Sequence, residues 1–288
     1  MSLTPDYESD INIHDLEIVN LSLKDIEIYI AQIYKGNIDL LNLAKSSKIA
    51  REIFSFTYNT LNNAFNKGYL FDKIDPKKDK LLYERAVKYR NNINQFSGAK
   101  TWQEARALSR AVFNADGTKR PFKEYREFAT RINVQFNKVW LRTEQDQTFS
   151  QAQNARQGLR IEQQKNVFPY IKYQTVGDGR VRDSHAALNG LTFKVGDPEA
   201  DDISPANGWR CRCQWLQLTE SEAKPTSKET IKSKTELIKQ DFKKNEIFKG
   251  NIAKQDYMFK NTGKDKHDYF KVPKQYNKTY SQNFGFKI

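Results

Sequence analysis

The sequence predicts an α+β protein: a mainly helical N-terminal region (1–118), a long helix leading into a small α+β module (119–218), and a lysine-rich C-terminal tail (219–288). Three observations carry that reading. Apolar residues recur at three- and four-residue steps through most of the stretch from 22 to about 164. At Asn166 the texture changes to aromatic and β-branched runs separated by Gly/Asp turns. Beyond residue 219 all 16 basic residues are lysine.

Taken in order, "SLKDIEIYIAQIYKGN" places Leu23, Ile26, Ile30, Ile33 and Tyr34 on one face, with Ser22 as cap and Gly36 as stop. A second helix fits 37–69 and ends at Gly68. "DPKKD" is a turn, since Pro76 bars a helix. A third helix runs from near Asp79 to Phe96, and "SGAK" is expected to break it. Thr101 to Glu104 then matches a capping box, opening a fourth helix through Ala105, Leu108 and Val112. Pro121 suits the first turn of the next helix, which runs to about Lys165 or breaks near Gly158. Its apolar positions Tyr125, Phe128, Ile132, Phe136, Val139 and Trp140 are expected in the core. From there, strands are expected at 167–176, 191–195 and 209–218, with a short helix at 183–190 capped by Asp183 and stopped by Asn189-Gly190. The segment 196–208 reads as a polar loop, and 219–246 as a lysine-rich helix or partly ordered stretch. The final residues have aromatics without periodicity, which fits a segment that docks on a partner or stays mobile.

Composition narrows the class. No apolar run approaches the roughly 20 residues of a membrane helix. The acidic, polar N-terminus lacks the pattern of a secretory signal, so an intracellular protein is expected. The net charge is +13 and unevenly placed. Residues 1–75 carry 7 Lys+Arg against 11 Asp+Glu, 76–218 carry 25 against 15, and 219–288 carry 16 against 9. A basic body suits a polyanion or an acidic protein surface, while the Lys-, Asn- and Ile-rich composition also fits a merely solvated face.

Chemistry concentrates in "YIKYQTVGDGRVRDSHAALNGLTF" and, about 20 residues later, "PANGWRCRC". These hold Asp178, Arg180, Arg182, Asp183, His185, Arg212 and the only two cysteines, Cys211 and Cys213. If the strand continues into the turn, Arg180 and Arg182 share a face. Two cysteines make no disulfide framework. His185, Cys211 and Cys213 are zinc-type ligands, with Asp178 or water as a fourth. Both thiols facing one ion is expected to need a turn in the backbone there. The other reading is structural: arginines paired with Asp178, Asp183 or carbonyls, cysteines filling small gaps, and Trp209 and Trp215 covering the module. Catalysis is weakly supported, because a cysteine nucleophile has only His185 as a base and no carboxylate cluster suits a nuclease.

The ordered motifs resemble the Mu protein F–like family of phage minor head proteins, the head morphogenesis type. "LRTEQD" at 141–146 is similar to that family's Arg-Thr-Glu on a long helix, here Arg142, Thr143 and Glu144. "DGRVRDSHAALNG" is similar to its Asp-x-Arg-x-Arg-x-x-His-x-x-x-x-Gly, here Asp178, Arg180, Arg182, His185 and Gly190. "PANGWRCRC" is similar to its Pro-x-x-Gly-Trp-x-Cys-Arg-Cys, here Pro205, Gly208, Trp209, Cys211, Arg212 and Cys213. The likeness spans roughly 120–218. It departs from another branch, which has cysteines at the positions of Arg182 and His185 and a histidine at that of Gly208; an arginine in a ligand's place suits a metal-free site.

The resemblance implies a non-catalytic part of a phage or prophage virion. It implies association with the portal protein and other head proteins, and action in head assembly or DNA delivery, with packaged DNA as a non-specific contact. Location in the virion, and in the bacterial cytoplasm during assembly, follows from the same likeness. Two other classes stand beside it. One is a metal-dependent nuclease or toxin-like enzyme, for which the tail is short. The other is a non-specific DNA-binding protein, supported by charge alone.

Overall fold

Ser22 opens the first described helix with a capping box. Its hydroxyl accepts from the Asp25 amide, and Asp25 accepts from the Ser22 amide in return. The computed structural model describes residues 22–244 and 246–272; the acidic residues 1–21 and the end of the tail fall outside these. Helix α1 (Leu23–Tyr34) ends at Gly36, whose φ of 74° suits glycine. The second helical stretch is not continuous. A 3-10 turn at Leu40–Asn42 and a one-turn α2 (Leu43–Ser46) precede α3 (Lys48–Tyr69), where Ser47 accepts from the Ala50 amide.

Gly68 does not stop α3. A Cβ there would lie 2.5 Å from the Phe149 carbonyl oxygen, so this glycine allows two helices to touch, and Leu70 takes the left-handed cap at φ 53°. The expected break at "SGAK" is also absent. Helix α4 (Lys80–Ala111) runs straight through it, and Ser97, Gly98, Ala99 and Lys100 are all buried. Serine and above all glycine weaken an isolated helix. Here they sit at the packed middle of the bundle, where tertiary contact overrides propensity. The capping box at Thr101 therefore does not form, and Thr101 donates to the Ser97 carbonyl inside the helix instead.

Pro121 stands one residue before α5 (Phe122–Val134), at its N-cap. The helix then passes through a π-helical segment at Gln135–Trp140 into α6 (Leu141–Gln164), without a break at Gly158. The wider π turn shifts the buried face. Tyr125 and Phe136 are buried as expected and Ile132 and Trp140 half-buried, but Phe128 and Val139 lie outside. Phe128 is instead flanked by Arg120 and Arg131, whose guanidinium carbons lie 4.2 and 4.7 Å from its ring centre.

The module follows as a three-stranded antiparallel sheet in the order β2-β1-β3. Its strands are β1 (Tyr170–Gln174), β2 (Thr192–Lys194) and β3 (Gln214–Leu218). Between β1 and β2 lies α7 (Asp183–Ala186), and between β2 and β3 lies α8 (Pro198–Asp202), in the segment expected to be only loop. One apolar core joins α3, α4 and α6; a second joins α1, α3, α4 and α5; the third lies on the sheet.

The tail is tied to both ends of the molecule. In α9 (Lys228–Lys234) and α10 (Glu236–Lys244), Ile231, Ile238 and Phe242 enter the sheet core. Met258, Phe259, Tyr269 and Phe270 return to the helical core. The described part of the final segment thus docks on its own chain. Asn92 holds it there, accepting from the Met258 and Phe259 amides at 2.9 and 2.7 Å and donating to the Phe259 carbonyl at 2.9 Å. Among the described residues, no helix is long and apolar enough to cross a membrane.

Candidate functional site

The cysteine segment is held by one stripe of α6. Gln147, Ser150, Asn154 and Gln157 recur at helical spacing and all face it. Gln147 donates to the Ala206 carbonyl at 3.0 Å, Ser150 to that of Cys211 at 2.5 Å, and Asn154 to that of Cys213 at 3.4 Å. Gln157 both accepts from the Trp215 amide at 3.2 Å and donates to its carbonyl at 2.7 Å. Strand β3 is an edge of the sheet, and the Gln157 amide meets Trp215 on its open side in place of another strand.

The expected third strand starts late, at Gln214, because the chain turns first. Ala206 and Arg210 both take left-handed backbone angles, φ 70° and 57°, and the Cys211 amide closes onto the Gly208 carbonyl at 3.0 Å. The turn thus precedes the cysteines rather than separating them. Past it, two-residue alternation puts both thiols on one face and sends Arg212 outward. Arg212 grips Asp178 with two hydrogen bonds, 2.6 and 2.7 Å. That grip pulls the Asp178 carboxyl down to about 2. Both of its oxygens are occupied, so Asp178 is not the fourth metal ligand expected.

On the other side, β1 ends at Gln174, so Arg180 and Arg182 are not paired by strand alternation. Arg180 points into solvent, 3.8 Å from Asp178. Arg182, not Asp183, occupies the N-cap position of α7, and its guanidinium donates to the Trp209 carbonyl. Gly208 makes room for it: a Cβ there would lie 3.0 Å from Arg182 Nη1. Gly190 ends the turn after α7 at φ 85° and donates to the Tyr173 carbonyl. Pro205 is buried just ahead of the turn that carries Ala206 and Arg210.

These elements bring His185 to the thiols. Its Nδ1 lies 3.6 Å from Cys211 Sγ and 3.5 Å from Cys213 Sγ, and all three side chains are buried. Both cysteines are free. The Cys211 thiol is held well below its usual range by the hydrogen bond from Cys213 and by His185, while the same bond and burial push Cys213 up. The three ligand atoms lie within 4.8 Å of one another. Zinc bonds of about 2.3 Å to sulfur and 2.0–2.1 Å to nitrogen imply a tetrahedral S···N edge of about 3.6 Å. The spacing fits three corners of such a site. Among the described residues no other His, Cys, Asp or Glu joins the group, so an ion held here keeps one non-protein position.

The Arg-Thr-Glu segment divides between two sites. Arg142 is exposed and pairs with Asp146 at 3.5 Å. Thr143 accepts from Arg210 at 3.0 Å, tying α6 to the cysteine turn. Glu144 faces the other way, into the helical core, 2.6 Å from Lys100. Trp215 is buried against Tyr173 and Phe193, whereas Trp209 bridges outward to Phe248 and His267. Sequence reasoning missed the α6 stripe and the Lys100–Glu144 pair. The first left a trace, four amide or hydroxyl residues at helical spacing.

Residues 58–216, more than half of the chain, match the family described as Phage Mu protein F like protein. The "Mu-like prophage FluMu F protein" of Haemophilus influenzae is 36% identical over 80 residues, 28% of this chain and 18% of that protein. The "Putative capsid assembly protein F" of Escherichia phage Mu is 37% identical over 59 residues, 20% of this chain and 13% of that protein. The matched stretches are thus less than a fifth of the length of either relative. No solved structure matches.

Proposed function

The chain belongs to the Phage Mu protein F like family, and from that premise we propose that it is a non-catalytic head-assembly protein of a phage or prophage, seated at the portal vertex. The observation that carries this is the extent of the family match, which ends within β3 and takes in the whole His185–Cys211–Cys213 knob and the helix that holds it. The capsid assembly role named for the phage Mu relative supports the reading. So does the charge of +13, which suits a protein lying beside packaged DNA.

The knob acts as a structural clasp in this reading. It binds one zinc ion that ties α7 to the turn before β3. Support for a structural rather than catalytic role lies in the burial of both thiols and in His185 Nδ1 being shared between them. A nucleophile needs a base free to take its proton, and here the one imidazole nitrogen faces two thiols at once.

Co-expression with the portal protein of the same phage tests the assembly role. The two are expected to co-purify at a fixed ratio, and deletion of this gene is expected to leave heads unassembled or empty. Normal, filled heads without it would remove the assignment.

A further inference from the structure

The zinc-type cluster forms the floor of an open pocket whose rim is made of two Arg-x-Arg pairs. Arg180 and Arg182 come from the loop leading into α7; Arg210 and Arg212 come from the turn leading into β3. The sequence separates the pairs by about 30 residues, and the fold sets them on one opening. All four residues are exposed, and the space between them opens to solvent. Two carboxylates oppose them. Asp178 is taken by Arg212 with Arg180 at 3.8 Å, and Asp146 lies 3.6 Å from Arg210. Four guanidiniums against two carboxylates leave an excess of two positive charges at one pocket. Arg182 is spent on a neutral carbonyl, and Arg180 is 85% exposed with no partner closer than Asp178.

We propose that this pocket binds the phosphodiester groups of a DNA backbone. Planar guanidinium forks match phosphate oxygens two at a time. The opening faces solvent, so a polymer can lie across it and present successive phosphates. Val176 and Val181 line the same pocket and give the sugars an apolar surface. Nothing here reads base identity, so the contact is sequence-independent. The proposal rests on the reading that the protein lies beside packaged DNA. It is tested apart from that reading, because the measurement uses purified full-length chain with no portal present.

The experiment is a fluorescence-anisotropy titration of a labelled random-sequence duplex at 50 and 200 mM NaCl. Wild type is compared with Arg180→Ala/Arg210→Ala, and with Lys123→Ala/Arg126→Ala on α5 as a charge-matched control away from the pocket. Each phosphate contact adds about −0.9 to the slope of log affinity against log salt. Losing two contacts is therefore expected to shrink the affinity ratio between the two salts by about tenfold, while the control shrinks it less. The single variant Arg180→Ala, at a solvated position, is expected to give about half that change in slope. Equal loss in the control and pocket variants, or displacement of DNA by polyglutamate as effectively as by polyphosphate, would overturn the site.

Discussion

Lys100 Nζ lies 2.6 Å from Glu144 Oε2, with both side chains closed off from solvent, so α4 and α6 are joined by a charge pair inside the helical core. Tyr269 donates to the other oxygen of Glu144 at 3.0 Å, which brings the C-terminal segment into the same contact. Burial pushes Lys100 down and Glu144 up, and each is held charged by the other. Removing one partner leaves a buried charge uncompensated. Lys100→Met is expected to lower stability by about 3–5 kcal/mol in urea unfolding. Lys100→Met/Glu144→Leu is expected to recover most of that loss, because an apolar pair has no charge to desolvate. A single variant within about 1 kcal/mol of wild type would contradict the contact.

Glu104 sets a pH dependence of stability. It is fully buried beside Lys100; Asn133 and Asn137 donate to its Oε1, and its Oε2 has no partner. Burial raises its carboxyl from 4.5 to about 7. A raised folded-state value means the contribution is whole below about 4.5 and is lost as pH rises through 7. A shift of this size corresponds to about 3 kcal/mol. Glu104→Gln keeps an oxygen for the two asparagines and cannot ionise. Denaturation at pH 4.5 and pH 8 is expected to show the gap between the two pH values narrowing by about 3 kcal/mol in Glu104→Gln relative to wild type.

His267 acts in the opposite sense. Its Nδ1 accepts from the Tyr269 amide at 3.2 Å, which requires a bare nitrogen, and burial among Phe96, Phe259 and Trp209 lowers it from 6.5 to about 4. A depressed base contributes stability above 6.5 that is lost as pH falls through 4. His267→Asn keeps an acceptor for the Tyr269 amide without the titration. Its stability is expected to fall less than that of wild type between pH 6.5 and 4; an equal fall would place the acid sensitivity elsewhere.

Where the sequence was legible, the reason was local. The β1 and β2 strands, the stop at Gly190 and the cap at Ser22 depend on neighbours within a few residues, and all appear where turn and strand chemistry place them. The site was legible through order: the Asp178–Gly190 and Pro205–Cys213 motifs do meet. What failed was decided by distant packing. "SGAK" looks like a break because Ser and Gly weaken helices, yet α4 needs small residues where it is most buried. Phe128 and Val139 fit a 3.6-residue stripe, but the π segment after Val134 rotates the face away from Val139. Gly68 looks like a terminator and is instead a point of helix contact.

That contact makes its own prediction. Gly68→Ala would set a methyl 2.5 Å from the Phe149 carbonyl oxygen and 3.1 Å from Ala152 Cβ, both on the backbone or stem of α6. Neither neighbour can swing aside, so α3 and α6 must separate. Alanine favours a helix by up to about 1 kcal/mol over glycine, but overpacking is expected to outweigh that and leave a net loss of about 1–3 kcal/mol by thermal unfolding. Net stabilisation would mean the helices are not this close.

The knob's chemistry can be settled by metal content and by where its loss is felt. Protein refolded with zinc and then dialysed is expected to retain about one ion per chain, and Cys211→Ser and His185→Ala to retain far less. An ion present at a hundred times its dissociation constant adds about 2.7 kcal/mol, which in a chain of this size raises the melting temperature by roughly 4–5 °C. That rise is expected in wild type and absent in both variants. A wild-type protein that holds no zinc would make the cluster two buried cysteines and an imidazole packed together without metal. Cys211→Ser would then cost only what a weakened hydrogen bond to Asn207 and a smaller buried atom cost, with no dependence on added metal. The two outcomes separate cleanly because Gln147, Ser150, Asn154 and Gln157 hold the cysteine backbone in either case. The turn therefore stays in place for the measurement, and the difference between the variants reports on the side chains alone.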